Sequence, residues 1–104
     1  MKKADETWER TGIRTIVIDE IRCLAEKYGI KRVLLFGSRA RGDYRRESDI
    51  DLAVSGGDPD LFRLEAEETT STLLQFDVVN LDLHLQPGLR ESIYKEGKMI
   101  YEKV

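Results

Sequence analysis

Two carboxylates and a Gly-Ser pair are the part of the sequence best suited to chemistry. Asp49 and Asp51 stand one residue apart in a mostly apolar segment, and Gly37-Ser38 ends an earlier apolar run. Because side chains alternate between the faces of a strand, we expect both carboxylates to point the same way. Like charges side by side repel unless a cation separates them, and Mg²⁺ accepts such oxygen ligands together with substrate phosphates. The pattern therefore predicts a magnesium site.

The Gly-Ser pair adds a way to bind phosphate from the other side. Gly37 allows close approach of the backbone to a ligand, and Ser38 can begin a helical turn whose free N–H groups face an anion. Arg39 and Arg41 follow at once, and their planar guanidinium groups suit the β- and γ-phosphates of a triphosphate. Taken separately, the arginine run is more typical of a solvated loop than of a phosphate site, and an isolated Asp-x-Asp is more typical of an exposed strand face than of a metal site.

The elements that must position these residues follow from hydrophobic periodicity and turn signals. Helices are predicted over Asp5–Tyr28 with Gly29 as the stop, from Pro59 with Asp58 as N-cap to about Leu74, and over Pro87–Glu96 before Gly97; strands are predicted over Val33–Phe36, Ile50–Val54, Phe76–Leu81 and Met99–Tyr101. This order predicts one α/β (α+β) domain over residues 1–104, with a small mixed sheet flanked by helices.

Composition excludes several other classes of protein. The net charge of −3 argues against a general nucleic-acid binder, and no segment is long and apolar enough to span a membrane. Cys23 is the only cysteine, so neither an internal disulfide nor a cysteine metal site is expected, and a cytoplasmic location fits.

The Gly-rich turn lacks the Gly-Lys-Ser/Thr of a P-loop, so an ordinary P-loop NTPase is not expected. His84 is expected at the surface, and Trp8 and Tyr28 are expected to pack.

The spacing of these residues resembles the GSx₁₀DxD signature of the DNA polymerase β nucleotidyltransferases. Gly37-Ser38 is followed by ten residues, Arg39 to Ser48, and then by Asp49-Ile50-Asp51. More narrowly, the Gly-Ser-Arg-Ala-Arg-Gly opening and the Leu-Arg-Glu-x-Ile…Gly…Tyr-Glu ending resemble the small MNT-type members. The resemblance implies the polymerase β-like nucleotidyltransferase fold.

The resemblance also implies a third carboxylate on a later strand. Asp77 matches that position because it begins an apolar strand, and Asp82 is its rival. What the family implies is a two-metal Mg²⁺ site with ATP as substrate. Its catalytic and metal-binding residues would be Asp49, Asp51 and Asp77, and its nucleotide-binding residues would be Gly37, Ser38 and Arg39.

MNT-type proteins are commonly antitoxins paired with a HEPN-type ribonuclease toxin, so the resemblance implies a protein adenylyltransferase. The chain is expected to transfer AMP from ATP to a hydroxyl, with a tyrosine of a HEPN-type toxin as the leading acceptor. Adenylylation of a small hydroxylated molecule and a non-catalytic antitoxin that neutralises by binding are the alternatives. Base specificity and self-association stay open.

Overall fold

The computed structural model describes residues 8–104, in which a four-stranded sheet carries helices on both faces. The helices are α1 (Thr15–Lys27), α2 (Gly37–Arg41), α3 (Pro59–Thr69) and α4 (Pro87–Glu96); the strands are β1 (Arg32–Phe36), β2 (Ile50–Ser55), β3 (Phe76–Asn80) and β4 (Lys98–Glu102). The predicted mixed sheet flanked by helices is confirmed. The predicted start of the first helix at Asp5 lies outside the described residues.

The sheet has the strand order β3-β2-β1-β4. β1 pairs antiparallel with both β2 and β4, whereas β2 and β3 are parallel and are connected through α3. Parallel pairing makes the first residues of β2 and β3 meet at one end of the sheet. Because β1 runs the opposite way, its last residues reach that same end.

The two faces of the sheet are covered unequally. α1 and α3 pack on one face over the larger core, to which the strands contribute alternate residues such as Val33, Leu35, Leu52 and Val54. On the opposite face α4 covers a small cluster of Leu34, Ala53, Leu81 and Ile93. The strands are thus apolar on both sides, as the continuous apolar runs predict. The thinly covered face leaves room for polar residues.

Most predicted element ends are close to the observed ones, but the first helix and α3 differ. The helix predicted over Asp5–Tyr28 is interrupted by a turn in which Gly12 has a φ of +72°, and α1 begins only at Thr15. Asp58 caps α3 by accepting a hydrogen bond of 3.1 Å from the backbone N–H of Leu61. The helix ends at Thr69 and not near Leu74. Beyond that end, the amide and hydroxyl of Ser71 each donate to the Glu20 carboxylate at 2.7 Å. This tertiary contact holds the chain in an extended turn that helical periodicity alone does not show.

The residues expected to be structural behave as predicted. Trp8 is buried in the larger core, Tyr28 packs against it while its hydroxyl bonds Glu65, and His84 is exposed. The described part of the chain, residues 8–104, includes no helix long and apolar enough to cross a membrane.

Candidate functional site

Three aspartates meet at the end of the sheet where β2 and β3 begin. Asp51 on β2 is the parallel partner of Asp77 on β3, and adjacent strands are about 4.8 Å apart. Asp49 immediately precedes β2. The buried Ile50 and Leu52 point into the larger core, so Asp51 projects from the opposite, thinly covered face. The structure therefore brings together the three carboxylates predicted from the sequence.

The charges of these carboxylates act on one another. Partial burial, and then the negative charges of Asp77 and Asp49, raise the pKa of Asp51 from 3.8 to about 6. The cationic side chains of Arg41 and Arg39 oppose this shift without cancelling it. Asp51 is half-buried, whereas Asp49 and Asp77 are exposed. The fold thus holds an excess of negative charge at this end of the sheet.

Gly37 lies directly against the central carboxylate. It follows Phe36, the antiparallel partner of Asp51, and begins α2 with a φ of +76°. A methyl group built on Gly37 would overlap a carboxylate oxygen of Asp51. Gly37 thus permits the close approach of the protein's own Asp51 carboxylate, and the approach of a ligand to Gly37 stays a prediction. Ser38 is half-buried one residue further on, at the start of the same short helix.

The donor set suits a divalent cation. Carboxylate oxygens are hard ligands, and a bound Mg²⁺ would offset both the burial of the Asp51 carboxylate and its repulsion by Asp77 and Asp49, which together raise its pKa. Within residues 8–104, no three acidic, histidine or cysteine side chains form a ready-made metal cage. Mg²⁺ is usually held by one or two carboxylates, with waters and substrate phosphates as its other ligands. An open carboxylate cluster fits that mode of binding.

Asp82, the rival third carboxylate, lies at the opposite end of β2. Its oxygens accept hydrogen bonds from the Gly56 backbone N–H at 2.7 Å and the Ser55 hydroxyl at 3.0 Å. These bonds lower the pKa of Asp82. Because Ser55 ends β2 whereas Asp51 is near its start, Asp82 is separated from the cluster by the length of the strand. Asp82 therefore closes a turn, and Asp77 is the carboxylate beside the other two.

Arg39 does not stand where a phosphate ligand was predicted. Its side chain is only 2% exposed. The guanidinium donates to the backbone carbonyls of Thr11 at 2.8 Å, Ser48 at 3.0 Å and Arg46 at 3.0 Å, and its Cζ lies 4.6 Å from the centre of the Tyr44 ring. In this structure the donors of Arg39 are therefore occupied by carbonyl oxygens, and contact of Arg39 with a nucleotide stays a prediction. Carbonyl partners carry no side-chain signal, so the sequence could not reveal them.

Arg41, the other candidate, is exposed at the end of α2. It forms ion pairs of 3.3 Å with Asp43 and 3.2 Å with Glu96 of α4. Exposed pairs of this kind are weak and exchange readily. Its positive charge also favours the ionised form of Asp51 and so acts to lower the pKa of that carboxyl. Of the two arginines named from the sequence, Arg41 is therefore the one whose guanidinium is accessible on the side of the carboxylates.

Gly37 and Gly42 offer a matched pair of substitutions. Both have positive φ, but a methyl group at Gly42 meets nothing within 4 Å. Gly42→Ala is expected to cost about 1 kcal/mol of unfolding free energy from backbone strain alone. Gly37→Ala is expected to cost about 2 kcal/mol or more of unfolding free energy, because it also displaces Asp51. For the same reason it is expected to weaken the binding of Mn²⁺, which serves as the probe for the predicted Mg²⁺ site. Urea unfolding and Mn²⁺ titration measure both effects; equal losses in the two variants would contradict this account of Gly37.

The raised pKa of Asp51 predicts a pH-dependent cost to stability. The folded protein favours the protonated carboxyl, so stability falls as pH rises from about 4 through about 6 and the penalty is complete above that. In metal-free buffer, Asp51→Asn is expected to raise the melting temperature at about pH 7.5, with a smaller gain at about pH 4.5. Asp82→Asn is the control of opposite sign, because its carboxylate is stabilised by hydrogen bonds. An Asp51→Asn protein less stable than wild type at the higher pH would contradict a net cost of holding the charged carboxylate at this position.

Comparison with known proteins agrees with this geometry. The family model for the polymerase beta nucleotidyltransferases matches residues 19–104. A Methanocaldococcus jannaschii protein assigned as a protein adenylyltransferase is 46% identical over 92 residues, which are 78% of this chain and 90% of that relative. The protein adenylyltransferase MntA of Thermococcus cleftensis is 32% identical over 85 residues, covering 80% of this chain and 83% of MntA.

A solved structure shares the fold as well. A chain in the crystal structure of a toxin–antitoxin with AMP-PNP superposes with a TM-score of 0.65 at 27% identity, over 83% of this chain and 73% of that one. The match of the family model spans all four strands and the three aspartates at their common end. The chain therefore belongs to the polymerase β family of nucleotidyltransferases.

Proposed function

We propose that this protein is an antitoxin that transfers AMP from ATP, with Mg²⁺, to a tyrosine hydroxyl of a HEPN-type toxin. The observation that carries the proposal is the convergence of Asp49, Asp51 and Asp77 beside Gly37 at one end of the sheet. Similarity to the T. cleftensis protein adenylyltransferase and to a chain of a toxin–antitoxin bound to AMP-PNP supports the donor and the class of acceptor.

In the proposed reaction the acceptor hydroxyl oxygen attacks the α-phosphorus of ATP. The bond between that phosphorus and the oxygen bridging to the β-phosphate breaks, pyrophosphate leaves, and the product carries AMP on the acceptor oxygen. Mg²⁺ held by Asp49, Asp51 and Asp77 would neutralise charge on the attacking and leaving oxygens. Asp77 is exposed at the edge of the sheet, where its carboxylate can accept the proton of the acceptor hydroxyl.

Ser38 and Arg41 complete the proposed nucleotide site. The short helix α2 begins at Gly37 beside Asp51, and no side chain caps its first turn. N–H groups at a helix start are available to phosphate oxygens. Arg41, exposed at the other end of α2, would exchange its ion pairs with Asp43 and Glu96 for the phosphates of ATP.

A protein acceptor fits the openness of the site. β3 is an edge strand, so the sheet leaves the side of Asp77 away from Asp51 uncovered by another strand. Asp49 and Asp77 are both exposed. A tyrosine on the surface of a second protein can reach such a site without a pocket deep enough to enclose a small molecule. This accessibility favours a macromolecular acceptor over the alternative of a small hydroxylated compound.

The proposal predicts labelling of the toxin that depends on Asp49. Purified protein, α-labelled ATP, Mg²⁺ and the HEPN-type protein of the same host are expected to yield a toxin heavier by one AMP in intact-mass analysis. Asp49→Ala should abolish the adduct without loss of folding, because Asp49 is exposed and precedes β2. Peptide mapping then identifies the modified residue. Tight binding of the two proteins with no adduct would instead support a non-catalytic antitoxin, and labelling of a small hydroxylated compound alone would support the other alternative.

Asp77 and Asp82 form a second matched pair. Asp77→Asn is expected to lower the rate of AMP transfer by about 100-fold or more, because it removes both a metal ligand and the proposed proton acceptor. Asp82→Asn changes the same functional group at the far end of β2 and should leave the rate near that of wild type. Single-turnover rates with radiolabelled ATP measure both. An equal loss in the two variants would mean that distance from the cluster does not decide the role.

A further inference from the structure

We infer that Arg39 is a positioning residue, which fixes the loop before β2 and thereby holds Asp49 beside Asp51 and Asp77. The inference rests on the proposed use of these carboxylates to hold a metal ion, and it assigns to Arg39 a role other than contact with the nucleotide.

Apart from Arg39, the loop between α2 and β2 has two anchors at its start: the Asp43 backbone N–H donates to the Ser38 carbonyl at 3.1 Å, and the half-buried Tyr44 ring lies against Gly12. Residues 43–48 include the exposed, charged side chains of Asp43, Arg45, Arg46 and Glu47. Such residues bury no apolar surface and cannot pin a backbone by packing. An internal turn is present, in which the Arg45 backbone N–H donates to the Ser48 hydroxyl at 2.8 Å and the Ser48 N–H donates to the Arg45 carbonyl at 3.0 Å.

Arg39 attaches this turn to the body of the protein. Its Nη2 donates to the carbonyls of Arg46 at 3.0 Å and, more weakly, Arg45 at 3.4 Å, and its Nε donates to the Ser48 carbonyl at 3.0 Å. Its Nη1 reaches the Thr11 carbonyl, before α1, at 2.8 Å. One rigid, planar group thus fixes the loop at three points and joins it to a distant segment.

Asp49 is held between two fixed neighbours as a result. On one side is Ser48, whose carbonyl is bound by Arg39. On the other is Ile50, whose backbone N–H donates to the Gln75 carbonyl at 2.9 Å. The bond from Ile50 holds the sheet side of Asp49. Of these two bonds, the one from Arg39 to Ser48 is therefore the one that holds the loop side. Releasing it would let the Asp49 carboxylate move away from Asp51.

The burial of this cation is difficult to explain by stability alone. Within residues 8–104, the ion pairs involve other cationic side chains and none involves Arg39. Carbonyl oxygens and the face of Tyr44 are what compensate its charge. Removing an arginine from water without a carboxylate partner is costly. Ordering of the charged loop next to Asp49 would explain why the protein buries Arg39 despite the cost in stability.

A double-mutant cycle tests the inference. Arg39→Lys keeps the charge but lacks the fork that spans these carbonyls, and it is expected to weaken Mn²⁺ binding about tenfold. If Arg39 acts through Asp49, the same change in an Asp49→Asn protein should weaken Mn²⁺ binding by less than about twofold. Hydrogen exchange over residues 43–50 of the metal-free protein should also become faster in Arg39→Lys.

Two further variants keep the test decisive. Ser48→Ala removes the hydroxyl that accepts from Arg45 and leaves the buried arginine intact. If Arg39→Lys fails to fold, Ser48→Ala replaces it in the double-mutant cycle with Asp49→Asn. It loosens the loop that Arg39 binds, and a smaller loss of Mn²⁺ affinity is expected. Phe62→Leu, a buried change in α3, is the control for a general loss of stability and should leave Mn²⁺ affinity unchanged.

The outcomes separate this inference from the proposed function. Wild-type Mn²⁺ affinity in a folded Arg39→Lys protein, or additive losses in the cycle, would overturn the positioning role. Asp49-dependent Mn²⁺ binding by a wild-type protein that transfers no AMP would overturn the proposed function and leave the positioning role supported. Absence of Asp49-dependent Mn²⁺ binding in the wild type would overturn both.

Discussion

Mutual repulsion among three carboxylates is the interaction around which this end of the molecule is organised. The parallel register of β2 and β3 places Asp51 beside Asp77, and the start of β2 brings Asp49 next to them. Left in water these groups would separate, so the fold must supply the energy that keeps them together. The larger core formed by α1 and α3 does so from the other face of the same strands. The site therefore lowers the stability of the fold, and hydrophobic packing in the larger core offsets this cost.

The residues around the cluster are explained by the same constraint. Gly37 is required because the carboxylate of Asp51 occupies the space of a side chain. Arg39 and Arg41 both contribute positive charge near the cluster. Arg39 is buried against backbone carbonyls, whereas Arg41 is exposed and forms ion pairs. α4 packs on this face over Leu34, Ala53 and Leu81, while Asp49 and Asp77 stay exposed. Each feature tolerates or moderates negative charge, and none removes it.

Sequence patterns predict the parts of this structure that depend on side-chain type and period. Alternation along a strand places Asp49 and Asp51 on one face, and the apolar run after Asp77 identifies β3. The choice between Asp77 and Asp82 is less secure from sequence because both flank apolar residues; strand register decides it. The end of α3 and the burial of Arg39 are not predictable in this way. Both depend on contacts between distant parts of the chain, Ser71 with Glu20 and Arg39 with Thr11.

The position of β3 at the margin of the sheet has a consequence for selectivity. An enzyme that encloses its acceptor can reject wrong molecules by shape and can exclude water from the reacting phosphate. Here Asp77 is exposed on an edge strand, so residues 8–104 enclose neither the acceptor nor the reacting phosphate on that side. Under the proposed function, recognition of the correct hydroxyl would then depend on the surface of the acceptor protein that binds over this edge of the sheet. On this view the active site is complete only as a composite of two proteins, and the affinity between them determines which hydroxyl is modified.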